Sequence, residues 1–308
     1  MTTVLVTGGG GFIGSNLVRG LLERGDEVRV LDNFSTGSRQ NLDGLDVEVV
    51  EGELRSYERV HNAIKGAEVV FHLGALGSVP RSVQDPLTSS AVNIEGTLNV
   101  LLAARDADVR RVVFSSSSSI YGSSGELPRT EAMLPDPISP YGVAKLAAER
   151  YCISFGRVYD SFEAVVLRYF NVFGPRQSPF SQYAAVVPLF ITAIAQGEPV
   201  TIFGDGEQSR DFTYVSNVID ATLRAADAPG AAGRIFNVAA GSPASVNHLA
   251  DLIGEILGKQ PEKRYAPTRP GDIPDSWADV RAARDVLGFE PSVALEEGLR
   301  RTAEALLG

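Results

Sequence analysis

The chain has 308 residues, of which 44% are hydrophobic and 21% charged, and its formal net charge at pH 7 is −10. This composition predicts a folded globular protein rather than a disordered chain. The negative charge repels phosphate backbones and anionic lipid head groups, so we expect neither nucleic acid nor a membrane as the main partner. A phosphate-bearing small molecule is still compatible with this charge, because a local pocket can oppose the overall sign.

Cysteine and histidine are scarce. The single cysteine, Cys152, excludes an intramolecular disulfide and a metal site built from a cysteine cluster. The three histidines, His61, His72 and His248, are scattered without metal-ligand spacing, so we predict no metal site. The first residues lack the pattern of a signal peptide, and no apolar run reaches the ~18 residues of a membrane span. We therefore expect a cytoplasmic protein.

Strand and helix patterns alternate along the first half of the chain. Buried β-branched runs predict strands at residues 3–7, 27–31, 47–50, 68–72, 111–115 and 163–168. Amphipathic stretches between them predict helices at residues 13–24, 56–65, 88–104 and 140–155. The alternation predicts an α/β fold with a Rossmann-type, doubly wound parallel sheet that helices cover on both faces.

The composition of the sequence changes after residue 172, where prolines and glycines become frequent. Helical patterns follow at residues 184–195, 215–226, 245–257 and 295–306, with short strands between them. We predict a first domain at residues 1–172 and a smaller C-terminal α/β substrate lobe at residues 173–308. The return of one strand and one helix from this lobe to the first domain is left open.

Glycines dominate the turn between the first predicted strand and helix. The spacing of Gly8, Gly11 and Gly14 lets the backbone approach a pyrophosphate, and the helix N-terminus supplies free N–H groups. Asp32, at the end of the second strand, can accept hydrogen bonds from the adenosine ribose and repels a 2′-phosphate. The two features predict NAD rather than NADP. Asp32 as a helix cap is the alternative, and Glu53 either holds the adenine amino group or faces solvent.

Tyr141 and Lys145 lie four residues apart on a predicted helix and therefore share one face. An ammonium beside a phenol favours the phenolate, so we expect the Tyr141 pKa to lie below its usual value of about 10. Tyr141 would then be a general base, and Lys145 could also reach the nicotinamide ribose. The five serines at 115–119 follow a strand at the sheet edge where such folds bind ligands, which offers a hydroxyl to the substrate and to Tyr141.

Together these motifs resemble the extended short-chain dehydrogenase/reductase family and, within it, the UDP-sugar 4-epimerases. The resemblance covers nearly the whole chain and rests on TGGGGFIGSNL at 7–17, LDNFSTG at 31–37, SSSSSIYG at 115–122, SPYGVAK at 139–145, LRYFNVFGPRQ at 167–177, RDFTYV at 210–215 and RPGD at 269–272. It implies an enzyme that inverts carbon 4 of a UDP-hexose. In that reaction the base removes the 4-hydroxyl proton, carbon 4 gives a hydride to NAD, the 4-keto sugar turns, and the hydride returns to the opposite face.

The resemblance also implies the residues of the site. It gives the catalytic roles to Ser117, Tyr141 and Lys145. It places NAD against Gly8, Gly11, Phe12, Ile13, Gly14, Asp32, Asn33, Ser35, Thr36, Gly37, Glu53, Leu54, Leu73, Ala75, Asn93, Tyr141, Lys145 and Tyr169. It places the UDP-sugar against Ser118, Ser119, Asn171, Val187, Thr201, Phe203, Arg210, Arg269, Asp272 and Ser276. Each arginine, taken singly, is equally compatible with a surface salt bridge.

Two features of the resemblance bear on the sugar. Epimerases restricted to UDP-glucose and UDP-galactose usually carry a bulky tyrosine where this chain has Ser276, and a serine leaves room for a 2-acetamido group. The segment GSVPRS at 77–82 also resembles the UDP-N-acetylglucosamine 4-epimerases. The resemblance therefore favours a pocket that admits UDP-N-acetylhexosamines as well as UDP-glucose and UDP-galactose.

Three alternatives to this function are open: a UDP-glucuronate 4-epimerase, a related NAD-dependent nucleotide-sugar oxidoreductase or decarboxylase, and a non-catalytic NAD-binding sensor. Related dehydratases and decarboxylases carry an acidic residue in the segment that is all serine here, which favours epimerisation. Sensors of this fold often lack the tyrosine or lysine that this chain has. The family also implies a homodimer formed through the helices at 88–104 and 140–155.

Overall fold

Short β-strands recur along the whole chain. The computed structural model of the protein describes residues 2–123, 125–179, 185–268 and 273–308. In chain order its strands are β1 (Thr3–Thr7), β2 (Glu27–Asp32), β3 (Val47–Glu51), β4 (Val69–His72), β5 (Arg111–Ser117), β6 (Glu163–Tyr169), β7 (Val172–Phe173), β8 (Val200–Phe203), β9 (Ser209–Arg210), β10 (Thr213–Tyr214), β11 (Ile235–Val238), β12 (Ala244–Ser245), β13 (Lys263–Ala266) and β14 (Asp275–Ser276).

The longer strands form one seven-stranded sheet in the order β11-β6-β5-β4-β1-β2-β3. All neighbouring strands in it are parallel. The chain reverses its direction of travel across the sheet between β1 and β4, and ligands of doubly wound folds bind beyond the carboxyl ends of the strands at such a point. The predicted fold class, an α/β fold with a Rossmann-type doubly wound sheet, is confirmed.

Helices connect the strands and cover both faces of the sheet. They are α1 (Phe12–Arg24), α2 (Tyr57–Ile64), α3 (Val79–Gln84), α4 (Pro86–Ser90), α5 (Gly96–Asp106), α6 (Pro140–Val158), α7 (Val186–Gln196), α8 (Val215–Asp227), α9 (Val246–Leu257), α10 (Arg281–Leu287) and α11 (Leu295–Leu307). In the part of the chain that the structure describes, no helix combines the length and hydropathy that crossing a bilayer requires.

The alternation of side chains along the strands builds two apolar layers. Val4 and Val6 pack with α1 and α8 on one face, whereas Leu5 packs with α2, α5 and α6 on the other. Because successive residues of a strand point to opposite faces, a strand buried on both sides needs a continuous apolar run. Each fully buried valine or leucine contributes about 1.5–3 kcal/mol of hydrophobic free energy.

Three local features differ from the sequence patterns. The predicted helix at 88–104 is not one regular helix, because a π-helical turn at Ala91–Glu95 separates α4 from α5. Helix α3 lies in a segment for which the sequence indicated no element. Strand β5 continues through Ser117, two residues beyond its predicted end, so the serine run begins inside the sheet.

The second half of the chain contributes both to the main sheet and to smaller sheets. Strand β11 pairs with β6 at the edge of the main sheet, and α8 packs against α1. Strands β12, β9 and β14 form a separate small sheet, and β8 pairs with β13. Helices α7, α9 and α11 pack on one another around these strands. The division of the chain at residue 172 stays a prediction.

A buried ion pair fixes helix α6 against the sheet. Glu149 on α6 and Arg168 on β6 are both fully buried and form two hydrogen bonds of 2.6 and 3.0 Å. Ser116 donates to the same carboxylate, and Arg168 donates at 2.8 Å to the hydroxyl of Tyr121, which donates to Asn237. Through these contacts α6, β5, β6 and β11 hold one another at a defined register.

We expect Arg168→Met to lower the free energy of unfolding by about 3 kcal/mol or more, because it leaves the Glu149 carboxylate buried without its partner. Urea unfolding followed by circular dichroism measures this change. The control is Arg224→Met, which breaks the exposed pair with Asp220 on α8 and should cost less than about 1 kcal/mol. Equal losses for the two variants would contradict the importance of the buried pair.

Candidate active site

The turn between β1 and α1 is built from backbone alone. A Cβ atom on Gly14 would lie 2.1 Å from the Gly8 carbonyl oxygen, and one on Gly8 would lie 2.7 Å from the Cα of Gly74. Gly8 also has a φ of 73°, which favours glycine. Helix α1 begins after Gly11 without a side-chain cap, so its first N–H groups are left for a ligand. This geometry fits a pyrophosphate at the helix N-terminus.

A cavity of about 840 Å³ opens beside this turn, along the carboxyl ends of the strands. This volume lies within the range of cofactor pockets, ~300–1,000 Å³. Most of the predicted cofactor residues line it, namely Gly8, Gly11, Phe12, Ile13, Gly14, Asp32, Asn33, Ser35, Thr36, Gly37, Glu53, Leu54, Leu73 and Ala75. Ser115, at the start of the serine run, lines the same cavity and brings β5 to its edge.

The two acidic residues of the predicted adenosine end have different surroundings. The Asp32 carboxylate accepts backbone N–H groups from Gly10 at 2.8 Å and Phe34 at 2.7 Å, so it also braces the glycine turn. Each of its oxygens keeps a second lone pair for a ribose hydroxyl. Glu53 is exposed and pairs with Arg55 through both oxygens. Contact between Glu53 and adenine stays a prediction.

Four predicted cofactor residues lie outside the lining of the cavity: Asn93, Tyr169, and the predicted catalytic residues Tyr141 and Lys145. The Asn93 side chain, on the π-helical turn, accepts from the Leu76 N–H at 2.8 Å and donates to the Leu76 carbonyl at 3.1 Å. It therefore shapes the wall of the cavity, of which Leu76 is part. The Tyr169 hydroxyl pairs with Thr222 on α8 at 2.7 Å, on the apolar face of the sheet. Its described contacts are those of a packing residue.

The structure brings the three predicted catalytic residues together. Ser139 caps helix α6 by accepting from the Gly142 N–H, and Pro140 occupies the first helical position. Tyr141 and Lys145 then lie on the face of α6 that meets the end of β5. The Ser117 hydroxyl hydrogen-bonds the Tyr141 phenol, and the Lys145 Nζ donates to the Ser115 carbonyl at 2.7 Å.

The pKa shifts correct one expectation. Burial raises the pKa of Tyr141, and the hydrogen bond with Ser117 only partly opposes this rise. The prediction that Lys145 lowers the Tyr141 pKa is therefore wrong for the protein alone. The reason is that the Lys145 amine faces a backbone carbonyl, and burial lowers its own pKa to about 8. Any acidification of the phenol requires a further positive group in the site.

Sequence reasoning missed two residues that support this constellation. The Ser82 hydroxyl, on α3, accepts the Tyr141 N–H at 3.0 Å. His72 is fully buried between the hydroxyls of Thr7 at 2.7 Å and Thr97 at 3.0 Å, and burial together with Lys145 lowers the His72 pKa to about 3. This histidine is a neutral bridge between β1, β4 and α5. No local pattern reveals such contacts, because their partners are distant in sequence.

The predicted nucleotide-sugar residues that the structure describes lie on several elements outside the cavity lining. Arg210 on β9 and Ser276 on β14 are direct neighbours in one small sheet, and Ser276 is buried. The carboxylate of Asp211, the residue after Arg210, accepts the N–H groups of Gly241 and Ala278 and holds this sheet to the segment that follows β11. Burial raises the Asp211 pKa to about 6. The structure thus joins Arg210 to Ser276.

The other predicted nucleotide-sugar residues are spread over several parts of the structure. Asn171 has a φ of 33°, and its carbonyl accepts from Thr213 at 3.2 Å. Ser118 and Ser119 form a short 3₁₀ turn after β5, where the Ser119 N–H donates to Ser117. Val187 is buried in the core, whereas Thr201 is exposed and Phe203 half-buried on β8. Arg269 and Asp272 lie outside the described residues.

Within residues 2–123, 125–179, 185–268 and 273–308, no group of three or more His, Cys, Asp or Glu side chains is placed to hold a metal ion. The described cavity is lined by backbone amides, hydroxyls and the guanidinium groups of Arg55, Arg81 and Arg176, which are groups suited to an organic phosphate.

Comparisons with known proteins match this arrangement. Residues 4–239 match the NAD dependent epimerase/dehydratase family. The structure of the UDP-glucose 4-epimerase of Thermotoga maritima with UDP-glucose has a TM-score of 0.95 at 40% identity and covers 99% of this chain and 98% of its own. The UDP-N-acetylglucosamine 4-epimerase of Methanobrevibacter ruminantium M1, in complex with UDP-N-acetylmuramic acid, has a TM-score of 0.94 at 39% identity over 99% and 98%. The UDP-glucose 4-epimerase of Thermus thermophilus in complex with NAD has a TM-score of 0.92 at 38% identity over 100% and 99%.

We expect Lys145→Met to stabilise the protein at neutral pH, once any bound nucleotide has been removed. The folded state binds the Lys145 proton more weakly than the unfolded chain, because the folded pKa of about 8 lies below the ordinary value of 10.5. Stability therefore rises with pH between these values. The gain should be roughly 1–3 kcal/mol near neutral pH and should shrink toward pH 10.

Urea unfolding at several pH values measures this gain. Lys65→Met, which alters an exposed side chain beside Asn62, serves as the control and should show no such trend. A gain for Lys145→Met that stays constant with pH would contradict the effect of burial on the ammonium.

Proposed function

The chain belongs to the NAD-dependent epimerase/dehydratase family and is an NAD-dependent enzyme, and from that premise we propose that it is a UDP-hexose 4-epimerase. Its pocket, in this proposal, admits UDP-N-acetylhexosamines as well as UDP-glucose and UDP-galactose. The observation that carries the proposal is the meeting of Ser117, Tyr141 and Lys145 at the end of β5, next to a cavity built for a dinucleotide.

The residues of this site have different roles in the proposed reaction. When bound, NAD supplies a hydride acceptor whose oxidised ring carries a positive charge. As a phenolate, Tyr141 would take the proton of the 4-hydroxyl while the hydride of carbon 4 leaves to the cofactor, and the Ser117 hydroxyl would hold the substrate oxygen and the Tyr141 oxygen in line. Because burial raises the Tyr141 pKa in the protein alone, the phenolate depends on positive charge that arrives with the cofactor. Tyr141 returns the proton when the turned sugar is reduced.

Serines, rather than an acidic residue, follow Ser117 in the sequence, which favours epimerisation over elimination. The 3₁₀ turn after β5 presents Ser118 and Ser119, whose hydroxyls do not deliver a proton to a leaving group at neutral pH. A 4-keto sugar formed here therefore has one productive fate, which is reduction. The product then has the mass of the substrate, and no NAD is consumed.

The small side chain of Ser276 supports the broad sugar preference. It is buried on β14 beside Arg210, the predicted phosphate ligand. A side chain of this size leaves space that a large aromatic residue would fill, so a 2-acetamido group can be accommodated. The hydroxyls of Ser118 and Ser119 offer hydrogen bonds to that group.

Incubation with UDP-glucose, UDP-N-acetylglucosamine and UDP-glucuronate, each separately and without added NAD, tests the proposal. We expect NMR spectra to show the 4-epimers of the first two, at unchanged mass and without free NADH. Tyr141→Phe should lower kcat at least about a hundredfold, because it removes the proton acceptor while sparing the cavity. Retained turnover in this variant, conversion of UDP-glucuronate alone, or loss of carbon dioxide would contradict the proposal.

We further propose that the protein is a homodimer formed through helices around α6. Large apolar side chains are exposed on this side: Val83 on α3, Leu87 on α4, and Val143 and Tyr151 on α6, with exposed fractions of 64%, 83%, 51% and 40%. The three helices pack on one another and form a continuous surface. Apolar patches of this kind on soluble proteins mark interfaces.

Leu87→Glu should shift the protein toward a monomer, because the interface would have to bury a charge. Light scattering coupled to gel filtration measures the mass of the particle at several concentrations. Leu307→Glu alters an exposed leucine at the end of α11 and should leave the mass unchanged. A monomeric unmodified protein, or a dimer insensitive to Leu87→Glu, would contradict the proposed interface.

A further inference from the structure

One arginine of the second half of the chain lies in the cofactor cavity without an assigned role. Arg176 follows β7 in the turn that begins with Gly174, and it lines the 840 Å³ cavity together with the glycine turn. Its φ of 70° is in the left-handed region, which costs a non-glycine residue about 1 kcal/mol or more. The backbone therefore holds this side chain at a cost that some other interaction must offset.

Asn16 connects this turn to the helix that faces the cavity. Its Nδ2 donates to the Phe12 carbonyl at 2.9 Å and to the Pro175 carbonyl at 3.2 Å, and its Oδ1 accepts from Arg176 Nη2. Phe12 and Asn16 belong to the first turns of α1. The contacts thus dock the Arg176 turn onto the helix N-terminus where the glycine cradle fits a pyrophosphate.

One N–H group of the Arg176 guanidinium is available to a ligand. Arg176 Nε is buried and has no hydrogen-bond partner among the described residues. A buried N–H without a partner costs free energy that an anionic ligand would recover. Burial and the nearby positive charge of Arg19 also lower the Arg176 pKa, which is the opposite of what a protein carboxylate partner would do.

The position of Arg176 selects the ligand. Two other cations line the cavity: Arg55, which pairs with Glu53, and Arg81 on α3, which lies near enough to Asp85 to lower the pKa of that carboxyl. Arg210, the predicted phosphate ligand for the UDP-sugar, lies in a separate sheet and does not line this cavity. Because Asn16 docks the Arg176 turn on the first turns of α1, an anion bound at the N-terminus of α1 is the ligand that best suits Arg176. We propose that Arg176 binds the pyrophosphate of NAD from the side opposite the glycine turn and retards release of the cofactor.

Only the purpose of this contact rests on the proposed function: an epimerase regenerates NAD in each cycle and therefore gains from retaining it. The contact itself depends on NAD binding alone. Guanidinium–phosphate bonds are strong and directional, and two N–H groups of one arginine can bind two oxygens. Removing such a contact should weaken binding about tenfold or more.

The variant Arg176→Gly tests the contact with NAD, and its melting temperature shows whether the fold is preserved. The substitution removes the guanidinium and relieves the left-handed backbone, so the NAD-free variant should melt no lower than the unmodified protein. The matched control is Arg19→Gln. Arg19, on α1, donates to the Asn41 carbonyl and lies close enough to affect the charge of Arg176, but it does not line the cavity.

Two measurements follow NAD directly. One is the NAD retained per chain after gel filtration, quantified after denaturation, and the other is the Kd from titration of the stripped protein. We expect Arg176→Gly to lose most of its NAD and to raise the Kd at least about tenfold, with Arg19→Gln near the unmodified protein. Because neither readout needs turnover, failure of the epimerase proposal would not alter them.

Three results would overturn the inference: an unchanged Kd for NAD in Arg176→Gly, an equal rise in Arg19→Gln, or weaker binding of UDP with unchanged binding of NAD. The second would show a general electrostatic effect, and the third would assign Arg176 to the nucleotide sugar. Calorimetric titration with UDP provides the last comparison.

Discussion

The structure depends on the close approach of three stretches of backbone at the carboxyl ends of β1 and β4. Gly14 passes Gly8, and Gly8 passes Gly74, at distances that no Cβ atom permits. This contact lets α1 begin directly after the strand, so its free N–H groups face the cavity. Asp32 reinforces the same turn by accepting the Gly10 N–H, while its remaining lone pairs face the cavity. The same backbone contacts therefore fix the fold of this region and shape the predicted cofactor site.

The predicted catalytic face is held by buried polar contacts that fix the positions of side chains at a cost in stability. Tyr141, Lys145 and Glu149 recur every four residues on α6 and meet β5, where Ser115, Ser116 and Ser117 each contact one of them. Glu149 is neutralised by Arg168, whereas Lys145 donates to a neutral carbonyl, and burial lowers its pKa to about 8. A buried amine of this kind costs folding free energy, which a functional role explains and packing does not.

Much of this was predictable from local patterns, and the rest was not, for a physical reason. Apolar periodicity and the spacing of Gly8, Gly11 and Gly14 act over short distances, so the parallel sheet, most of its helices and the glycine turn beside the cavity were predictable from the sequence. The contacts of Asn93 with Leu76, and of Ser82 with Tyr141, join residues far apart in the chain and appear only in the structure. The Tyr141 pKa was wrongly predicted because sequence spacing brings Lys145 near but does not determine where its amine points. The serine run at 115–119 was predicted only in part. Its place at the sheet edge was predicted, but the extension of β5 through Ser117 was not.

In the proposed reaction, one hydride leaves carbon 4 of the sugar and returns to the same carbon without exchange with solvent. A UDP-hexose deuterated at carbon 4 tests this most directly, in ordinary water and with the holoenzyme. We predict that the epimeric product keeps its deuterium at carbon 4, with none released to solvent or to free NADH. Product in which carbon 4 carries hydrogen from the solvent would contradict the claim.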